Sequence, residues 1–198
     1  MNEPLFRSAY DALVFAFNYS SQQYGKSPMI KTTGMPMSAG KGLSGVDGAA
    51  QAGFIRAEVA ELGKIPEAIL TARFAPHTVP CGCRRPCCVG KQPNKEWTAA
   101  IKILEQFLES DLLKSHCTTW DMRTQYVMRQ FLSKTERIGL DEIAKRNDRH
   151  INTVSEHNSI VKLFFFGKKN SVGAEEKARN EIEKRMIEIG MVQIDNAA

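Results

Sequence analysis

Leu140-Asp-Glu-Ile-Ala-Lys-Arg-Asn-Asp-Arg-His-Ile-Asn-Thr-Val-Ser-Glu-His-Asn-Ser-Ile-Val-Lys-Leu163 reads as two short helices separated by a polar turn. Leu140 and Ile143 supply the apolar contacts of the first, and Ala144 is the small residue that a close helix approach needs. Asn147–His150 forms the break. It has no glycine, so Asn147 or Asp148 is the candidate for a left-handed conformation. Ile151 is placed as a plug between the helices, with Val154, Ile160 and Val161 anchoring the second to the core.

The other side of that second helix carries Asn152, Thr153, Glu156, His157 and Ser159. These short polar side chains suit the donor and acceptor edges that base pairs present in the major groove of DNA. Arg146 and Arg149 flank the turn, where phosphate contacts would position such a unit, His150 and Lys162 extend the set, and Lys168 and Lys169 add to the basic flanks. A helix-turn-helix over residues 140–163 with double-stranded DNA as partner is the expectation. The plain alternative is two core helices joined by a polar turn. Neither histidine is read as a catalyst, and no catalytic residues are expected.

Composition is compatible with this reading. The 198 residues are 42% hydrophobic and 25% charged, which is ordinary for a globular chain. No apolar run reaches the about 18 residues a membrane span needs, and the N-terminal stretch, acidic at Glu3, does not read as a secretory signal. The net charge of +5 fits a polyanionic partner without requiring one. Five cysteines, four of them within eight residues, point to a reducing compartment, expected to be the cytoplasm.

Working outward, Pro4–Phe17 places Leu5, Tyr10, Leu13 and Phe17 at helical spacing. Residues 20–45 are rich in Ser, Gly, Pro and Met, and read as a flexible loop. Ala49–Leu62 predicts a helix with Phe54, Ile55, Val59 and Leu62 inward and Gly63 as its stop, and Pro66–Phe74 a further one. After the Cys- and Pro-rich segment 80–93, Asn94 caps a helix carrying Trp97, Ile101, Leu104 and Leu108. Trp120–Leu132 and Ala174–Ile189 complete the series, the last with Gly190 as terminator and Ile182, Met186 and Ile189 as an apolar stripe. That stripe either completes the core of the two-helix unit or pairs two subunits. Glu175 with Arg179, and Glu181 with Lys184 and Arg185, stand at helical pairing distance. Phe164-Phe165-Phe166 reads as core, and no alternating strand pattern is visible.

Ser27-Pro28-Met29, Gly42-Leu-Ser-Gly-Val-Asp47 and Ala49-Ala-Gln-Ala-Gly-Phe54, in that order, resemble the N-terminal region of the lambdoid phage late-gene antiterminator Q proteins. A cysteine-bearing zinc element and a helical DNA-contacting body follow in that family. The motif match covers about 30 residues. The chain departs from the family's paired Cys-x-x-Cys knuckles, having Cys81-x-Cys83-x-x-x-Cys87-Cys88 instead. The resemblance implies a protein that binds DNA near a late promoter and engages host RNA polymerase paused with its sigma factor. It would then travel with the enzyme and let it read through terminators. It also implies that residues 27–54 face polymerase. A conventional promoter-binding repressor or activator, and a non-DNA structural phage protein, are the competing readings.

Zinc takes four tetrahedral ligands, commonly from two short pairs. Cys81, Cys83, Cys87 and Cys88 are the candidate set, with His77, His116 or Cys117 as substitutes because the adjacent Cys87 and Cys88 side chains diverge. The alternative is a loop of reduced thiols. Arg73, Arg84, Arg85, Lys91, Lys95 and Lys102 surround the cluster and suit either a phosphate contact or a solvated surface. No His-x-Glu element precedes the cysteines to carry a proton for deaminase chemistry. The expected architecture is therefore all-α: residues 1–93 as an N-terminal helical region with loops at 20–45 and 80–93, and residues 94–198 as a C-terminal DNA-binding domain.

Overall fold

The structure is a computed structural model describing residues 5–19, 45–83, 89–169 and 171–192. Most of the loop expected at 20–45, together with Arg84, Arg85, Cys87 and Cys88, lies outside these residues. The described chain is dominated by α-helix, and none of its helices is long and apolar enough to cross a membrane. Helices run α1 (Ala9–Asn18), α2 (Gly45–Ala60), α3 (Lys64–Phe74), α4 (Lys95–Phe107), α5 (Trp120–Phe131), α6 (Leu140–Arg146), α7 (Ile151–Phe166) and α8 (Ala174–Glu188). Two compact units are formed: Met1–Leu62 with Arg179–Ala198, and Gly63–Ala178. The boundary expected at Pro93 instead falls inside the second unit, because α3 and α4 pack together across it.

In the first unit, Ser8 starts α1 by accepting a hydrogen bond from the Asp11 amide at 3.1 Å, so the helix begins five residues later than Pro4. Its buried face is Ala9, Ala12, Leu13, Ala16 and Phe17, while Tyr10 is 55% exposed. In α2 the buried residues include Ala52, Ile55 and Val59, and Phe54, expected inward, is 47% exposed. Arg56 donates from Nε to the Ala16 carbonyl at 3.0 Å and lies over the Phe17 ring, tying α2 to α1. Ile182 and Met186 of α8 are buried and belong to this unit rather than to the core around α6 and α7. Arg185 pairs with Glu58 at 3.6 Å, not with Glu181.

The second unit begins at Gly63, whose φ of 92° only glycine adopts without strain. Pro66 falls within the first turn of α3, where its missing N–H costs nothing. Asn94 caps α4 by accepting from the Glu96 amide at 3.0 Å, and Trp97, Ile101 and Leu104 are buried along it. The Trp97 indole donates to the Ala72 carbonyl at 3.1 Å, locking α4 against α3. A π-helical turn, Leu108–Leu112, extends α4. Arg123 of α5 then reaches back to Glu105 at 2.7 Å in the interior and to the exposed Glu109 at 2.9 Å.

Two short antiparallel ladders depart from the all-helical expectation. β1 (Thr78–Pro80) pairs with β2 (Lys91–Pro93), so both ends of the cysteine segment are regular. β3 (Gly167–Lys168) pairs with β4 (Ser171–Val172). Strands of two or three residues are too short to display a period of two, which is why the sequence pattern does not reveal them. Arg73 makes a paired-nitrogen contact with Glu175, Nε to Oε1 being 2.8 Å, and its guanidinium lies over the rings of Phe131 and Phe166. Glu175 is therefore held by Arg73, not by Arg179, and Arg73 is a core tie rather than part of a basic loop.

Candidate nucleic-acid interface and cysteine loop

The turn between α6 and α7 is closed by its own backbone. Asp148 adopts a φ of 49°, the only positive value at a non-glycine residue in the described chain. That conformation lets the Arg149 amide reach the Ala144 carbonyl at 3.0 Å and the Asp148 amide reach Lys145 at 3.4 Å. This is the six-to-one and five-to-two pattern that ends helices at a left-handed residue, with aspartate in the place glycine usually takes. The left-handed residue expected at 147 or 148 is thus Asp148.

Asn147 fixes the turn to the neighbouring helix. Its Nδ2 donates to Asp121 Oδ2 at 2.9 Å and to the Ile143 carbonyl at 3.0 Å, while Thr119 Oγ1 hydrogen-bonds its Oδ1. Thr119 also caps α5, accepting from the Met122 amide at 3.2 Å. His150 caps α7 by accepting from the Asn152 amide at Nδ1 over 3.3 Å. The start of α5, the turn and the start of α7 therefore share one edge of the unit.

From that start α7 divides cleanly into two sides. Val154, Val161 and Phe165 are fully buried, with Ile143 and Ala144 of α6 also in the core. Asn152, Thr153, Glu156 and Ser159 are exposed, as are Lys162, Arg146, Arg149 and His150. Arg146 pairs with Glu142 one turn earlier at 2.8 Å. Both partners are about half exposed, so solvent screens the pair and a phosphate can compete for the guanidinium. Arg149 donates from Nη2 to Cys117 Sγ at 3.1 Å. Ile151 is 39% exposed and lines a shallow hollow beside Ala144, so it does not seal the angle between the helices as expected.

His157 is the correction within the expected contact set. It is 4% exposed, with Nδ1 3.4 Å from the Tyr126 hydroxyl and its ring edge-on to His116 at 4.9 Å. A side chain in that position cannot reach a base edge. Position 157 lies three residues after Val154 and four before Val161, so helical geometry carries it inward with them. Burial holds its imidazole below the ordinary range, helped by the nearby His116 and Arg149 and opposed by Glu156. Burial likewise raises the Tyr126 phenol.

In the cysteine segment, the Cys81 amide donates to the Gly90 carbonyl at 2.9 Å, continuing the β1–β2 ladder by one step. Cys81 is partly buried and Cys83 exposed, and neither forms a disulfide. His77 does not turn to the loop: it contacts Glu136 at 3.2 Å and the edge of Trp97. His116 and Cys117 are likewise committed to His157 and Arg149. Among the described residues no three His, Cys, Asp or Glu side chains converge as a metal group. Lys91, Lys95 and Lys102 are exposed.

Three features have no counterpart among the sequence expectations: the Thr119–Asn147–Asp121 network, the Cys117–Arg149 contact and the exposure of Trp120, 63% at the start of α5. Thr119 carries a visible capping signal, whereas residues 28 or 32 positions apart leave no local trace of their pairing.

The buried His157 generates a pH dependence with a definite sign. Its folded pKa lies below the unfolded value of 6.5, so the unfolded chain takes up the proton first as pH falls. The stability held by the neutral ring is complete above the unfolded value and declines as pH drops through it. Thermal unfolding of the wild type should lose more between about pH 7 and about pH 5 than that of His157→Gln. Equal pH dependence of the two proteins would contradict the neutral buried ring. No protein-family model, curated protein or solved structure matches the chain.

Proposed function

We propose that α5, α6 and α7 form a helix-turn-helix DNA-binding unit, and that the protein is a transcription regulator of the phage late-antitermination kind. The single observation supporting the DNA contact is the polar, exposed side of α7 formed by Asn152, Thr153, Glu156 and Ser159, opposite a side buried through Val154, His157, Val161 and Phe165. Asn and Thr at the first turn are suited to bidentate contact with adenine and to a thymine methyl. Arg149, His150 and, once released from Glu142, Arg146 are placed for phosphate.

The antitermination role draws on the likeness of residues 27–54 to the late antiterminators. Within that stretch, residues 45–54 open α2 and display Val46 and Phe54 to solvent. An apolar exposed edge of this kind suits a protein partner, here host RNA polymerase with its sigma factor. The loop 81–90 would hold zinc through Cys81, Cys83, Cys87 and Cys88. Thiolate donors suit that ion, and its contribution would be to fix the loop. The closed ladder at Cys81 and Gly90 supports this by fixing both ends of the loop.

Duplexes selected by the protein from a random pool test the reading first. Asn152→Ala with Thr153→Ala should erase most of the preference for selected over random DNA, about 1–3 kcal/mol per base contact. Arg149→Ala should weaken both alike. A selected site placed at a promoter upstream of an intrinsic terminator should then give read-through by purified polymerase holoenzyme. Changed initiation without read-through would overturn antitermination while keeping DNA binding. For the loop, elemental analysis of protein purified without chelator should give one zinc per chain, and absence of zinc would refute that assignment.

A further inference from the structure

We infer that the β3–β4 hairpin at the end of α7 is a second DNA-contacting element, a wing whose Lys168 and Lys169 bind backbone phosphate beside the groove that α7 enters. This rests on the helix-turn-helix reading above and extends it to a separate part of the molecule.

The hairpin is rigidly joined to α7. Gly167 ends that helix with a φ of 71°, and a Cβ there would meet the Ser171 carbonyl oxygen at 1.9 Å. A Cβ on Gly173 would meet the Phe165 carbonyl oxygen at 2.3 Å. Only glycine fits at either place, so the last turn of α7 and both legs of the hairpin touch backbone to backbone. The Lys168 amide also donates to Ser171 Oγ at 3.0 Å. The register pairs Gly167 with Val172 and Lys168 with Ser171.

Such a construction needs a reason, because it adds little to the core. Lys168, Lys169, Ser171 and Val172 are all exposed, and a plain loop could join α7 to α8. Two adjacent lysines at the tip, neither in an ion pair with a described residue, make the hairpin a cationic projection.

Its position suits a flank of the groove. The exposed stripe of α7 runs from Asn152 through Glu156 and Ser159 to Lys162, and the hairpin continues from its far end. At 16 residues the helix is about 24 Å long, roughly twice the width of the major groove. With its first turns among the bases, its last turn must emerge over the sugar-phosphate backbone. Leu163 and Phe166 on that last part carry no hydrogen-bonding group for base edges, whereas Lys162, Lys168 and Lys169 match phosphate.

Fluorescence anisotropy of the full chain on a labelled mixed-sequence duplex of about 30 base pairs, titrated between roughly 50 and 200 mM salt, reads the contact. Lys168→Gln with Lys169→Gln should lower the slope of log affinity against log salt by about 1.8, at about 0.9 per phosphate contact. Preference for a selected site over random DNA should stay as in wild type, and Lys168→Arg with Lys169→Arg should restore the slope. Wild-type slope in the glutamine variant, with the wild type binding well, overturns the wing and leaves the helix-turn-helix standing. Absence of salt-dependent duplex binding by the wild type overturns both.

Discussion

The left-handed backbone of Asp148 is the constraint on which the candidate interface depends. It lets α6 end by bonding Arg149 back to Ala144, so that α7 starts three residues later on a new axis. Asn147 then fastens the turn to Asp121 and Thr119 at the start of α5. A non-glycine residue in this conformation carries strain that Asp tolerates better than most. What it gains is a direction for α7 in which Val154, Val161 and Phe165 face the core and Asn152, Thr153, Glu156 and Ser159 face outward.

Behind that edge, the second unit is held by polar ties set into apolar packing. Arg123 reaches Glu105 in the interior and also donates to the Thr118 carbonyl at 3.0 Å, joining the end of α4 to the approach to α5. Arg73 carries Glu175 and covers two phenylalanine rings, joining α3 to the start of α8 and to α5 and α7. Buried ion pairs gain little net stability over apolar packing, but removing one partner is costly. Their directional geometry favours a single register of these helices. A DNA-reading helix requires such definition, since its contacts depend on placement to a fraction of an ångström.

Helix identity is legible where a capping residue and apolar periodicity agree, as at Asn94 before Trp97, Ile101 and Leu104. The anchoring of α6 and α7 by Ile143, Ala144, Val154 and Val161 is legible from the same periodicity, whereas Ile160, expected to anchor with them, is only half-buried. Residue type is a poorer guide to burial than position on the helix. Phe54, expected inward, and Tyr10, grouped with Leu13 and Phe17, each stand one residue off a buried stripe that runs through Ala9, Ala12, Leu13 and Ala16 or through Ala52 and Ile55. His157 is polar, yet its spacing from Val154 and Val161 places it inside. Tyr126 makes that tolerable by standing within hydrogen-bond range of the ring. The ties of Arg73 to Glu175 and of Arg149 to Cys117 join residues distant in sequence, and only the fold reveals them.

The account makes α7 the surface that meets DNA, and an NMR titration of the labelled protein with a selected duplex tests this most directly. It predicts that the backbone amides of Asn152, Thr153, Glu156 and Ser159 shift or broaden most, while amides on the opposite, buried side move little. Perturbations confined to other helices, with those four resonances unmoved at saturating duplex, would contradict it.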